Sequence, residues 1–440
     1  MINKTLLILR DTSKKRILGL PLLLRTILAC HQAGIKKFLI TGYGGKEEAA
    51  LIETIKRDRR VLSSTLEISY LTIDNIFSNK TSLINHTFSS ESYFLLIEGD
   101  LIFDPQILEQ IKTIKTTKDE IIIIKKEKES MQSDSLWSGL ALLPEELFSN
   151  YLELLATDNQ KEQDALNTLG AKFNIKIKAF STTRFLIRID SEAKEKTALK
   201  ALLTTARKPQ DGFIARTINR PISLFFSRQL IKLGLTPGTL SLLNFLLGLS
   251  AAFLAGRGGG YWNFFLAGLL FELASIFDGC DGEVARLTYN TSEKGAASDV
   301  FFDALTYILF FGGLAIGLYR SRQNYIYLYL LGIFLLSLAW YYYNLFRYTK
   351  ASGIGNKIFL VAKEIESKPK KEKKTGFLDQ VMAKLAFAVR RDFFATFVFI
   401  LLALGVAPAV IFIIVISSLI ESTYFHFYVK KSLRSPNKIK

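Results

Sequence analysis

Apolar and polar positions alternate in short blocks through the first 190 residues, then give way to long apolar runs. The segments "KTLLILR" (4–10), "KKFLITG" (36–42), "LEISYLT" (66–72), "YFLLIEGDLIF" (93–103) and "EIIIIKK" (120–126) read as short, near-continuous buried strands. Helical patterns intervene at "PLLLRTILACHQAG", at residues 46–58 and at "DPQILEQIKTI". Strands alternating with helices predict an α/β domain whose mostly parallel sheet is covered on both faces.

From about residue 237 the apolar runs approach the ~20 residues that cross a bilayer. Six spans are predicted, at 239–255, 261–281, 296–318, 325–346, 393–406 and 408–428. Ahead of them, residues 191–211 read as a linker. The stretch "IARTINRPISLFFSRQLIKLG" then mixes Ile222, Phe225 and Phe226 with Arg216, Arg220, Arg228 and Lys232. That mixture predicts an amphipathic helix in the membrane interface, with Pro221 in its first turn. The predicted architecture is a soluble α/β domain followed by an all-α membrane domain.

Charge gives this architecture an orientation. The chain carries a formal net charge of +17. Near the spans, the basic residues concentrate in the loop 347–391, with its "SKPKKEKK", and in the tail "KKSLRSPNKIK". The opposite loops offer only Arg257, Arg320 and Arg322. The positive-inside rule places the soluble domain, the basic loop and the C-terminus in the cytoplasm. No surface interleaves aromatic and basic residues as nucleic acid would require, so the predicted partner of the charge is membrane lipid. Cys30 and Cys280 suggest no disulfide framework, His31, His86 and His426 are too scattered for a zinc site, and no export signal is read at the N-terminus.

The chemistry lies in "DGCDGEVARLTYNTSEKGAASDVFFD", residues 278–303, between two apolar spans. Ionisable groups at membrane depth are costly and mark function. Asp278 and Asp281 are three apart, Asp299 and Asp303 four apart, so each pair shares a helix face. The intervening "LTYNTSEK" reads as a turn, with Thr291 or Ser292 capping the second helix. Two antiparallel helices would gather four carboxylates, which repel one another unless cations neutralise them. Oxygen ligands suit Mg2+, Mn2+ or Ca2+.

The spacing D-x2-D-G-x2-A-R-x8-G-x3-D-x3-D resembles the signature of the CDP-alcohol phosphotransferases. The resemblance covers roughly residues 208–430, and "LTPGTLSLLN" before the first span is similar too, with Gly238 where the family usually has Asn. It implies transfer of a substituted phosphoryl group from a CDP-linked donor to an alcohol, with release of CMP. It assigns Asp278, Asp281, Asp299 and Asp303 to two Mg2+ ions, with Mn2+ as the alternative. Asp303 would also be the general base. Asp278, Gly282, Ala285, Arg286 and Gly295 would bound the CDP pocket, and a homodimer is implied. For the acceptor two readings stand. Arg390 and Arg391, with Arg216 or Arg220, bind the phosphate of a phosphorylated acceptor, or the first pair only anchors topology.

The N-terminal half is similar to sugar-phosphate nucleotidyltransferases in "GLPLLLRTILACHQAGIKKFLITGY" and "LLIEGDLIF". That resemblance makes Asp100 and Asp190 a metal pair. The family's glycine-rich phosphate loop is absent, however, replaced by "RDTSKKRILGLP" with Lys14, Lys15 and Arg16. Without glycines the backbone cannot wrap closely around phosphates, so a degenerate scaffold is expected at residues 1–195, with retained nucleotide transfer as the alternative. The linker and juxtamembrane helix take 196–236, the transferase domain 237–430 and a basic tail 431–440.

The joined halves resemble bifunctional inositol-phosphate cytidylyltransferase / di-inositol-phosphate-phosphate synthases. Such synthases use CDP-inositol and inositol phosphate. A charged fraction of 22%, with many Asn and Gln in the soluble half, is unlike a hyperthermophile's composition. That composition favours phospholipid synthesis from CDP-diacylglycerol as the main expectation.

Overall fold

The computed structural model describes residues 2–73, 93–114, 120–127, 137–157, 162–207, 215–351 and 391–433. The chain forms two compact units, residues 1–206 with 287–289, and residues 207–286 with 290–440.

The first unit runs β1 (Ile2–Ile8), α1 (Leu22–Gln32), β2 (Lys37–Gly42), α2 (Lys46–Lys56), β3 (Glu67–Thr72), β4 (Tyr93–Glu98), α3 (Gln106–Lys112) and β5 (Glu120–Lys126). It continues with β6 (Leu140–Pro144), α4 (Phe148–Thr157), α5 (Glu162–Phe173), β7 (Lys176–Thr182) and α6 (Glu192–Thr205). The sheet has seven strands in the order β7-β5-β6-β4-β1-β2-β3. Strand β6 is antiparallel to β4 and β5; the other pairs are parallel.

Period-two alternation explains the unbroken apolar runs. Leu7, Leu95 and Ile97 point to the core that holds α1, whereas Leu6, Phe94 and Leu96 point to the core that holds α4 and α5. The central strands must therefore be apolar at nearly every position, whereas the edge strands β3 and β7 are mostly half-buried or exposed. The predicted linker beginning at residue 191 is instead the helix α6, capped by Ser191 accepting from Lys194 N.

In the second unit a π-helical turn (Ala215–Asn219) leads into α7 (Arg220–Lys232), α8 (Pro237–Arg257), α9 (Tyr261–Leu287) and α10 (Glu293–Arg322). Then come α11 (Ile326–Ala351), α12 (Arg391–Ala403) and α13 (Ala407–Leu433). Helices α8 to α11 and α13 are the five described helices long and apolar enough to cross a membrane. The fifth predicted span, 393–406, is the short helix α12, which ends just before Gly405 turns the backbone at φ +75°. The basic loop and the end of the tail lie outside the described residues.

Helices α8 and α10 approach closely because glycine lets them. A Cβ on Gly317 would stand 1.9 Å from the Ala255 carbonyl oxygen. On α7, Phe225 is 61% exposed, with Ile222 and Phe226 beside it, while Arg220, Ser223 and Ser227 are buried along with Leu224 and Ile231. An exposed face that mixes these apolar side chains with Arg228 and Lys232 suits a helix lying in lipid headgroups.

Candidate active site

The acidic motif sits on α9 and α10, joined by a short turn. Ser292 caps α10 by accepting from Gly295 N at 3.0 Å. A Cβ at residue 295 would lie 2.9 Å from the Ser292 oxygen, so Gly295 makes room for the cap. Carboxylate oxygens of Asp278, Asp299 and Asp303 come within 4.8 Å of one another. Three hard oxygen donors at that separation, on two helices braced by a cap, fit a Mg2+ or Mn2+ ion.

Asp281, the fourth acid, stands outside this trio. It is 8% exposed, and its Oδ2 accepts from Ser241 Oγ of α8 at 2.5 Å. Sequence reasoning missed Ser241, which carries no signal beyond its place at the start of a span. Arg286 lies back along α9, with Nη1 3.2 Å from where a Cβ on residue 282 would be. Gly282 therefore admits that guanidinium. Ala285 follows Asp278 by seven residues, about two turns, and so shares its face.

Arg220 is placed differently from the acceptor-phosphate role. Its Nη1 donates to Glu283 Oε1 at 2.7 Å, and both side chains are buried. Glu283 is also held by Ser223 Oγ at 2.6 Å and Ser227 Oγ at 2.7 Å. Deeper in α9, Glu272 accepts from Thr396 Oγ1 of α12 at 2.9 Å. The argument that singled out the aspartates, charge at membrane depth, would have found both glutamates. Arg216 lies in the π-helical turn. Arg390 lies outside the described residues, and Arg391 is described only as the first residue of α12.

In the first unit Asp100 follows β4 at the Gly99–Asp100 turn. It is 8% exposed, and its Oδ1 is buried without a hydrogen-bond partner among the described residues. Burial pushes its carboxyl up to about 6, opposed by the Arg10 guanidinium and reinforced by the charges of Glu162 and Asp190. Asp190 is half-exposed and bound to Lys194, which holds its carboxyl below the usual range. The loop after β1 folds onto this turn: Ser13 Oγ would sit 2.4 Å from a Cβ on Gly99. Arg10 is engaged by Glu98 at 2.9 Å and by Glu162. Glu98, fully buried, is also bound by Arg188 and by Trp137 Nε1 at 3.1 Å. Lys14 pairs with Glu47, and Lys15 lies 4.0 Å from Glu195.

Residues 234–420 match the family model described as CDP-alcohol phosphatidyltransferase, so this part of the chain carries a domain of that transferase family. Two curated relatives bear the name bifunctional IPC transferase and DIPP synthase. That of Archaeoglobus fulgidus is 25% identical over 236 residues, 53% of this chain and 46% of that protein. That of Aquifex aeolicus is 27% identical over 326 residues, 70% of this chain and 72% of that protein. The match thus spans under half of the first relative and nearly three quarters of the second. The first unit is similar in fold to the inositol-1-phosphate CTP transferase from T. maritima, at 15% identity and TM-score 0.34, over 46% of this chain and 96% of that one.

Proposed function

We propose that the second unit is a divalent-metal-dependent CDP-alcohol phosphotransferase, and the observation that carries this is the Asp278–Asp299–Asp303 group on its two motif helices. The acceptor hydroxyl attacks the donor phosphorus that bears the alcohol, the bond to CMP breaks, and CMP departs with its phosphate charge. Asp303, the last acid of the motif, takes the proton from the attacking hydroxyl. Asp278, Asp299 and Asp303 hold the cation, and Asp281 completes the acidic set with Ser241 steadying it. A bound Mg2+ or Mn2+ supplies charge stabilisation for the attacking and leaving oxygens. Arg286, beside Gly282, offers a forked cation to the donor's pyrophosphate. The basic loop and tail support a cytoplasmic active face, and a homodimer is part of the same reading.

For substrates, the relatives' names support an inositol-type pair, CDP-inositol as donor and an inositol phosphate as acceptor. They favour it over CDP-diacylglycerol, which composition alone had suggested. The test is product analysis with CDP-inositol plus inositol 1-phosphate against CDP-diacylglycerol plus a panel of alcohols. CMP release confined to the lipid donor would overturn the inositol reading.

The first unit, on our reading, is a scaffold. The loop after β1 lacks the glycines a phosphate cradle needs, its Ser13 packs against Gly99, and Arg10 is engaged by Glu98 and Glu162. Incubation with CTP and inositol 1-phosphate should yield no pyrophosphate. Release that is lost in Asp100→Ala would instead support a bifunctional enzyme.

A further inference from the structure

We infer that Glu283 is a positioning residue, the centre of a polar latch that fixes the rotation of the motif helix α9; this rests on the transferase reading above. Three residues of α7 at helical spacing, Arg220, Ser223 and Ser227, close on this one carboxylate from a single side. Glu283 and Ser227 have no solvent exposure, and Ser223 is 1% exposed. The seat is shaped for them. A Cβ on Gly279 would stand 3.0 Å from Arg220 Nη1 and 3.4 Å from Ser223 Oγ, so the residue one turn before Glu283 must be small. Two weaker contacts extend the seam, Ser227 Oγ to the Cys280 carbonyl and Cys280 Sγ to the Ser223 carbonyl, both at 3.5 Å.

Leu224 and Ile231 of α7 are also buried, and Phe226 packs 4.9 Å from the Phe277 ring, but apolar contacts carry no direction and lipid competes for them. The polar contacts to Glu283 therefore set how α7 seats on α9. A buried carboxylate commits its partners strongly, because losing one leaves a charge in low dielectric.

The latch acts on the site through the helix. At about 100° per residue, Glu283 lies about 140° around α9 from Asp278. It grips the flank of the helix while Asp278 faces Asp299 and Asp303. A turn of α9 about its axis would carry Asp278 out of the group whose oxygens lie within 4.8 Å.

The test uses the full chain in lipid nanodiscs, with Glu283→Gln, Arg220→Gln, the double variant, and the milder Ser227→Ala. Mn2+ affinity is read by electron paramagnetic resonance, and CMP release is followed in parallel. Supports of metal ligands typically change metal affinity or activity about 10–100-fold. Each Gln single variant should accordingly weaken Mn2+ binding about tenfold or more and lower kcat with little change in donor KM. Ser227→Ala should lose severalfold. In the double variant two neutral amides rebuild the seam without a buried charge, and Mn2+ affinity should recover to within about threefold of wild type. Unchanged Mn2+ affinity in folded single variants would overturn the latch. So would multiplicative losses in the double variant, or a wild type that binds no Mn2+. If wild type releases no CMP while Mn2+ affinities still follow this order, the transferase reading fails and the latch stands.

Discussion

Replacing Asp100 by Asn should stabilise the first unit near neutral pH. The carboxyl is 8% exposed and one of its oxygens has no hydrogen-bond partner among the described residues. Burial raises its titration from the ordinary 3.8 to about 6. The folded form therefore holds a proton that the unfolded chain has lost between those values, so stability falls as pH rises through that window. At about 1.4 kcal/mol per pH unit, the gap amounts to about 3 kcal/mol at pH 7, with Arg10 already counted against it. A neutral Asn escapes most of that cost.

The assay is urea unfolding at several pH values, followed by Trp137 fluorescence. Trp262→Phe and Trp340→Phe silence the other two of the chain's three tryptophans. The gain from Asp100→Asn should be largest above pH 6 and vanish near pH 4, and Mg2+ should not alter it. A nucleotidyltransferase site would behave oppositely, because a cation there favours the carboxylate. Destabilisation by Asn that deepens with Mg2+ would refute the reasoning and revive an active first unit.

Other outcomes follow from the same geometry. Ser241→Ala removes a hydrogen bond to a charged acceptor, worth about 1.5–3 kcal/mol, and should lower kcat about tenfold or more, whereas Ser241→Thr should retain most activity. Gly317→Ala puts a Cβ 1.9 Å from a carbonyl oxygen and should cost about 1–3 kcal/mol in thermal unfolding, while Gly312→Ala, with nothing within 4 Å, should be neutral or mildly stabilising. If Arg391 binds acceptor phosphate, Arg391→Ala should raise acceptor KM about ten- to a hundredfold and Lys should rescue only partly. An unchanged acceptor KM in well-inserted protein would make Arg391 a topology anchor.

The sequence was most legible where one local pattern decides the structure. Strands β1, β2, β4 and β5 are legible because they are covered on both faces, and Ser292 marks the start of α10 by its capping geometry. Strands β6 and β7 were missed: "LALLP" is short, and β7 is a mostly exposed edge, so neither shows a decisive period. Helix α6 reads as a linker because its composition is polar, although Ser191 marks its start.

In the site, spacing alone gathered Asp278, Asp299 and Asp303. It could not separate Asp281 from them, since Ser241 comes from another helix 40 residues away. Arg220 was legible as a cation but not as a buried one. Only the fold brings it to Glu283, 63 residues on.

The central claim is that the aspartates of α9 and α10 run a metal-dependent phosphoryl transfer. Its most direct test is CMP release by wild type and Asp299→Asn in the same nanodiscs, with CDP-inositol, inositol 1-phosphate and Mg2+. The account predicts turnover by wild type that stops with EDTA and returns with Mg2+ or Mn2+. For Asp299→Asn, folded by thermal unfolding, it predicts a loss of about a thousandfold or more, as expected when a group stabilising transition-state charge is removed. Substantial CMP release by that variant, or metal-independent release by wild type, would contradict it.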